Sequence, residues 1–207
     1  MTNAVNNLLA QLEIRPVLLD IGASGDPPEI WDAIAPRSVY VGFDPDLREM
    51  RELSDGRFHK TIIANEAVVA AEAAEVSFYL TRSPHCSSTL PPDSAALSNY
   101  LFSDLFAVER QAKVRATTLN ALMDRLALPA VDWFKTDSQG TDLRLFTSLR
   151  PELRDRVLAV DLEPGLIDAY LGEDLFVKAH EHFTRNGFWR SNFKVMGEVR
   201  MRRATLE

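Results

Sequence analysis

Val17-Leu18-Leu19-Asp20-Ile21-Gly22-Ala23-Ser24-Gly25 is an apolar run interrupted by one acid and closed by two glycines. Such a run suits a strand covered on both faces, and its glycine-rich end predicts a tight turn. Similar short runs recur on either side. Ser38–Phe43 and Phe58–Ala64 read as the second and third strands, and Val131–Thr136 and Val157–Val160 as two more. Helical patterns separate them: a short one at Glu29–Ile34, then Leu47 to about Leu53, Thr118–Leu126 with Thr118 as cap, Thr141–Leu149, and Asp174–Asn186 stopped by Gly187. Strands alternating with helices specify an α/β protein built on a doubly wound, mostly parallel sheet.

The remaining stretches are less regular. Val76–Leu80 alternates and reads as an extra strand, in a hairpin with Ala67–Ala70. Thr81–Asp93 has no periodicity and is long enough for a functional loop. A helical pattern resumes over Ser94–Phe106, so residues 81–106 form an inserted loop–helix region. Phe188–Lys194 and Met196–Arg202 read as a final antiparallel strand pair. No internal repeat and no linker divides the chain, so residues 1–207 are expected to form one domain.

Composition narrows the function. Hydrophobic residues make up 46% and charged residues 26%, enough apolar material for a packed core. Lys and Arg number 23 against 30 acids, a formal charge of −7. That balance gives no long-range attraction to phosphate backbones or anionic lipids, so neither nucleic acid nor membrane is an expected partner. A single cysteine, Cys86, excludes an intramolecular disulfide and any multi-thiolate metal site. The start of the chain lacks a basic segment followed by an apolar run, and no stretch approaches the roughly 20 apolar residues of a membrane span. A cytoplasmic location is the expectation.

Chemistry concentrates at strand ends. Asp20, Asp44, Asp137 and the pair Asp161/Glu163 all lie at or just beyond the carboxyl ends of expected strands. In open parallel sheets that is where ligands bind. A single acid there also suits a helix start, but helix capping accounts poorly for the whole set. The first turn is not a nicotinamide fingerprint, which needs G-x-G-x-x-G; only Gly22 and Gly25 are present, and Asp20 disfavours a pyrophosphate. An acidic turn suits a ligand with positive groups and no phosphate, and S-adenosylmethionine carries an ammonium and a sulfonium. Asp44 follows 24 positions after Asp20, where a carboxylate can accept from both hydroxyls of a ribose.

These segments resemble a known family. LLDIGASGD (18–26) and VYVGFDPD (39–46) look like the first two motifs of class I S-adenosylmethionine-dependent methyltransferases. VDWFKTDSQGTDLRLFTSL (131–149) resembles the signature segment of the FkbM-type members, usually close to K-I-D-V-E-G-x-E. Thr117-Thr118-Leu119-Asn120 is similar to their T-T-L-D, and Cys86-Ser87-Ser88-Thr89-Leu90 to a serine-rich stretch found in many of them. The resemblance spans residues 18–165 and implies a seven-stranded sheet whose last strand is antiparallel. It implies transfer of a methyl group to a hydroxyl oxygen of a sugar or small metabolite. Carried over, Asp20, Gly22, Ala23, Ser24 and Gly25 would wrap the methionine part of the cofactor, Asp44 would hold the ribose, and Asn65 would lie near the adenine. Asp137 would face the sulfonium, with Lys135 as the basic residue of the signature.

One departure stands out. Gln139 occupies the place of the family glutamate and Asp142 that of the later one. Asp137 is therefore the first candidate for the acceptor-side group and His85, in the irregular loop, the second. His59, His180 and His182 read as structural, the tryptophans and Phe188-Trp189 as core, and Cys86 as a spectator thiol. No metal site is expected, because nothing brings the oxygen donors Asp137, Asp161 and Glu163 to one point. The rival reading is a catalytically degenerate methyltransferase-like module that binds S-adenosylmethionine or serves as a scaffold.

Overall fold

The computed structural model describes residues 2–46, 48, 56–195, 200–202 and 205. After an N-terminal helix α1 (Thr2–Gln11), strands β1 (Val17–Ile21), β2 (Val39–Phe43) and β3 (Lys60–Ala64) lie side by side. β4 (Ala67–Val68), β5 (Glu75–Thr81), helix α2 (Ser94–Leu97) and β6 (Val108–Thr117) follow. The chain then returns to the first sheet through α3 (Leu119–Arg125), β7 (Trp133–Thr136), α4 (Asp142–Ser148), α5 (Pro151–Arg154), β8 (Ala159–Leu162) and α6 (Phe176–Arg185).

The central sheet has the order β3-β2-β1-β7-β8, and every pairing in it is parallel. Successive strands run outward from β1 to β3, and then from β7 to β8 on the other side. The switch therefore falls between β1 and β7, and a crevice opens beyond the strand ends there.

Alternation along the strands builds two cores. Val17, Leu19 and Ile21 of β1, Val39, Val41 and Phe43 of β2, and Phe134 of β7 point to one face, under Leu122 and Met123 of α3 and Phe146 of α4. Leu18 and Tyr40 point to the other, packed with Trp31, Ala35 and Phe58. There Tyr40 stacks on Phe58 at 4.8 Å between ring centroids, and Trp31 meets Tyr40 edge-on at 5.8 Å.

The sheet differs from the seven-stranded expectation: among the described residues it has five strands and no antiparallel member. Phe188–Lys194 forms no strand, and residues 196–199 lie outside the described residues, as does most of the expected helix over 47–53. Met201 makes a single bridge with Tyr100 instead of joining the sheet. Trp189 is not a core residue, being 82% exposed, whereas Phe188 packs against the main core.

The expected hairpin is replaced by a second, three-stranded sheet, β4-β6-β5. β4 pairs parallel with β6, β5 pairs antiparallel with β6, and neither pairs with the other. β6 is rich in charge and largely exposed, which hides it from a search for apolar runs. Its only signal is the alternation of Ala112, Val114 and Ala116 with Lys113 and Arg115. The inserted region between β5 and β6 is mostly turns, with α2 its one α-helical turn among the described residues.

The turn after β1 is tightly constrained. Gly22 has φ +78°, and a Cβ there would lie 2.2 Å from the backbone oxygen of Asp137. Gly22 is thus required by the approach of the β1 and β7 turns to each other. Gly22→Ala is expected to lower unfolding stability by more than about 2 kcal/mol, through a left-handed φ plus a backbone clash. Urea denaturation of the variant checks it.

Candidate functional site

The crevice beyond the ends of β1, β2 and β7 is a cleft with about 680 Å³ of empty space, part of it open to solvent. Gly22 and Ser24 from the β1 turn, Asp44 and Asp46 from the β2 turn, and Asp137 and Ser138 from the β7 turn line it. The small sheet contributes Val68 and Phe78, and the inserted loop closes one side with His85, Ser87 and Thr89.

Asp20 is brought to the site's foundation and not to its lining. It is 2% exposed and lies mid-sheet, in register with Gly42 on one side and Lys135 on the other. Its Oδ1 accepts from Lys135 Nζ at 2.8 Å and its Oδ2 from the Tyr40 hydroxyl at 2.9 Å. Burial works to lower the Lys135 ammonium, but the Asp20 carboxylate outweighs it and the net shift is upward. Burial and the same carboxylate push the Tyr40 hydroxyl far up. The three side chains form one polar cluster across β2, β1 and β7, and neither Asp20 nor Lys135 lines the cleft.

The β1 turn is held in place by its own backbone. The backbone N–H groups of Gly22 and Ala23 both donate to the Phe43 carbonyl, each at 2.9 Å, which ties the β1 turn to the end of β2. Gly25, at φ +82°, has open space where a Cβ would stand. Asn65 donates from Nδ2 to the Asp44 carbonyl at 2.7 Å and fixes the β2 turn.

Asp44 faces the cleft from the end of β2, and the Asp46 N–H donates to its Oδ1 at 2.7 Å. Burial pushes its carboxyl up to about 6, with the Asp46 N–H and Arg48 pulling it down. Asp137 lines the same cleft from the β7 turn. Burial raises Asp137 to about 6 as well; Lys135 and a hydrogen bond from Gln139 oppose the rise, while Asp142 and Asp20 add to it. Asp142, at the start of α4, is wholly buried and accepts from the Ser138 N–H at 3.2 Å, which shapes the turn that presents Asp137.

Further residues missing from the sequence-based site complete the cleft. Asp46 pairs with Arg48 at 2.6 Å, and Arg48 also donates to Ser87 Oγ at 2.9 Å, strapping the β2 turn to the inserted loop. Glu66 lines the cleft and pairs with Arg125 of α3 at 2.8 Å. Asn120, the residue that departs from T-T-L-D, lies outside the cleft: it donates to the Ser148 carbonyl and accepts from the Arg150 N–H, joining α3 to the α4–α5 corner. Asp161 and Glu163 lie on and just past β8 and do not line the cleft, and no group of three metal-ligating side chains occurs among the described residues. No described helix is long and apolar enough to cross a membrane.

The described lining is therefore acidic, carrying Asp44, Asp46, Glu66 and Asp137 with neither Lys nor Arg. Two of these acids, Asp46 and Glu66, are themselves paired with arginines, Arg48 and Arg125. Comparison of the chain with protein-family models, curated proteins and solved structures finds no match.

Two outcomes follow from this geometry. Lys135→Met leaves the Asp20 carboxylate buried beside Tyr40 alone and is expected to cost about 3–5 kcal/mol, much of it recovered in the double variant with Asp20→Asn. Equilibrium unfolding of both proteins checks it. The second concerns pH. Asp137 binds its proton more tightly folded than unfolded, so its contribution favours the fold at low pH and is lost as pH rises from about 3.8 through about 6. Asp137→Asn should gain stability relative to the parent at pH 7.5, with the gain shrinking towards pH 4.5, as urea midpoints at the two values will report.

Proposed function

We propose that this chain is an S-adenosylmethionine-dependent methyltransferase whose acceptor is a hydroxyl oxygen of a sugar or small metabolite. The observation that carries the reading is the pair of carboxylates, Asp44 and Asp137, lining one cleft from either side of the β1 turn. The strand order supports it, because the cleft lies at the switch point where doubly wound sheets take nucleotide-like ligands.

The donor set suits such a cofactor. Asp44 offers a carboxylate for two vicinal hydroxyls, and the acidic lining is compatible with an ammonium and a sulfonium. Phe43 and Phe78 give the cleft apolar surface for a base. When bound, S-adenosylmethionine supplies an activated methyl group, so alignment of the acceptor and removal of its proton are the protein's tasks. Asp137 is the group assigned to that proton. Raised to about 6, it is mostly ionised at neutral pH yet a stronger base than an ordinary carboxylate. His85 lines the same cleft from the inserted loop and is the second candidate on the acceptor side.

Calorimetric titration with S-adenosylmethionine and its demethylated product, with NAD as control, tests the reading. Saturable binding of the first two alone is expected. Asp44→Ala is expected to weaken that binding about tenfold or more, the loss of hydrogen bonds to a charged acceptor. Unchanged affinity in this variant overturns the ribose assignment, and absence of binding by the parent overturns the cofactor. Binding without turnover across an acceptor screen is the signature of the degenerate module.

A further inference from the structure

Gln139 lines the cleft with a left-handed backbone. It has φ +55° and is followed by Gly140 at φ +105°, so two consecutive residues leave the usual regions of backbone space. For a residue with a Cβ that conformation costs on the order of 1 kcal/mol and persists only where surroundings hold it. Here the side-chain amide and the carbonyl are all engaged. Its Nε2 donates to Asp137 Oδ1, its Oε1 accepts from the Tyr170 hydroxyl at 2.9 Å, and its carbonyl accepts from Ser88 Oγ at 2.7 Å.

The partners come from three separate segments. Asp137 belongs to the β7 turn and Ser88 to the inserted loop. Tyr170 belongs to the segment between β8 and α6, and its single hydroxyl proton lies between two acceptors, Gln139 Oε1 and the Cys86 carbonyl at 2.8 Å. Tyr170 is itself buried, packed in a small cluster with Leu97 and Ala169. Gly140 makes room for this convergence: a Cβ there would come within 3.0–3.3 Å of side-chain atoms of Glu173, Leu90 and Tyr170.

We propose that Gln139 is a positioning residue: its amide grips the Asp137 carboxylate at one end and the Tyr170 hydroxyl at the other, so that the β7 turn, the inserted loop and the β8–α6 segment form one fixed wall on the acceptor side of the cleft. The importance of Asp137 rests on the methyltransferase reading, but the tie itself does not. A neutral amide suits this place better than the glutamate of the resembled family. Asp137 already faces Asp142 from α4, Asp20 from β1 and Glu163 from beyond β8, with Lys135 as the opposing cation and the Cys86 thiol and Tyr170 hydroxyl on the loop side. A second carboxylate against it would add like-charge repulsion, whereas an amide N–H stabilises the ionised form.

The test reads the Asp137 carboxyl directly, by carbon NMR titration of protein labelled at aspartate, with the resonance assigned from Asp137→Asn. Gln139→Gly keeps the left-handed backbone without strain and removes only the side chain. It is expected to fold, and to raise the Asp137 titration midpoint by about one pH unit through loss of the amide donor. Gln139→Glu is expected to raise it further, and Tyr170→Phe to raise it by less, by releasing the far end of the amide. Midpoints in Gln139→Gly and Tyr170→Phe within about 0.2 of the parent overturn the tie. S-adenosylmethionine titration of the parent is scored separately: failure to bind there overturns the methyltransferase reading while leaving the midpoint result to decide the role of Gln139.

Discussion

A carboxylate held in the middle of a parallel sheet is the constraint on which the rest of this structure depends. Asp20 interrupts an otherwise apolar strand and is almost wholly removed from solvent. Left unpaired, it would be strongly unfavourable there; paired with Lys135 and Tyr40, it joins the three strands that meet at the switch point. Side-chain alternation sets which face each of these groups occupies. A slip of one residue would send Lys135 to the helical side and leave Asp20 alone, so the ionic cluster penalises wrong registers as much as it binds the right one.

Above that cluster the turns are held by contacts between backbones. The Gly22 and Ala23 amides converge on Phe43, the Asp137 amide donates to Ile21, and Gly22 lets the β7 turn come close. These ties hold the side chains of Asp44 and Asp137 among the polar groups that the framework presents to the cleft. Rigid strand ends carrying a few carboxylates are a good platform for a bound cation-bearing ligand, since little reorganisation is needed on binding. The inserted loop then supplies the wall opposite, strapped by Arg48 at one end and by Ser88 and Tyr170 at the other.

Two side-chain amides, those of Gln139 and Asn120, each use both ends to join separate segments. Gln139 sets a neutral amide against Asp137, whose carboxyl is also raised by Asp142 and Asp20. Asn120 uses both ends of its own amide to join two helices, a task a carboxylate could only half perform because it cannot donate to the Ser148 carbonyl.

Local pattern was enough for the strands of the central sheet and the Thr118 cap, because each depends on neighbours a few residues away. The cap is the plainest case: Thr118 Oγ1 accepts from the Ala121 N–H. That Asp44 and Asp137 come to line one cleft follows from the strand order, which sets the ends of β2 and β7 on either side of β1. Tertiary structure alone decided the rest. β6 is a strand only because β4 and β5 lie on either side of it, and its charged sequence carries little signal of that. Asp20 and Lys135 have the residue types of a ligand-binding pair, yet their partners, 115 residues apart in the chain, turn them inward to each other. Tyr170 and Gln139 meet for the same reason: a hydrogen bond between distant segments has no periodicity to betray it, and depends on where the folded chain brings its ends.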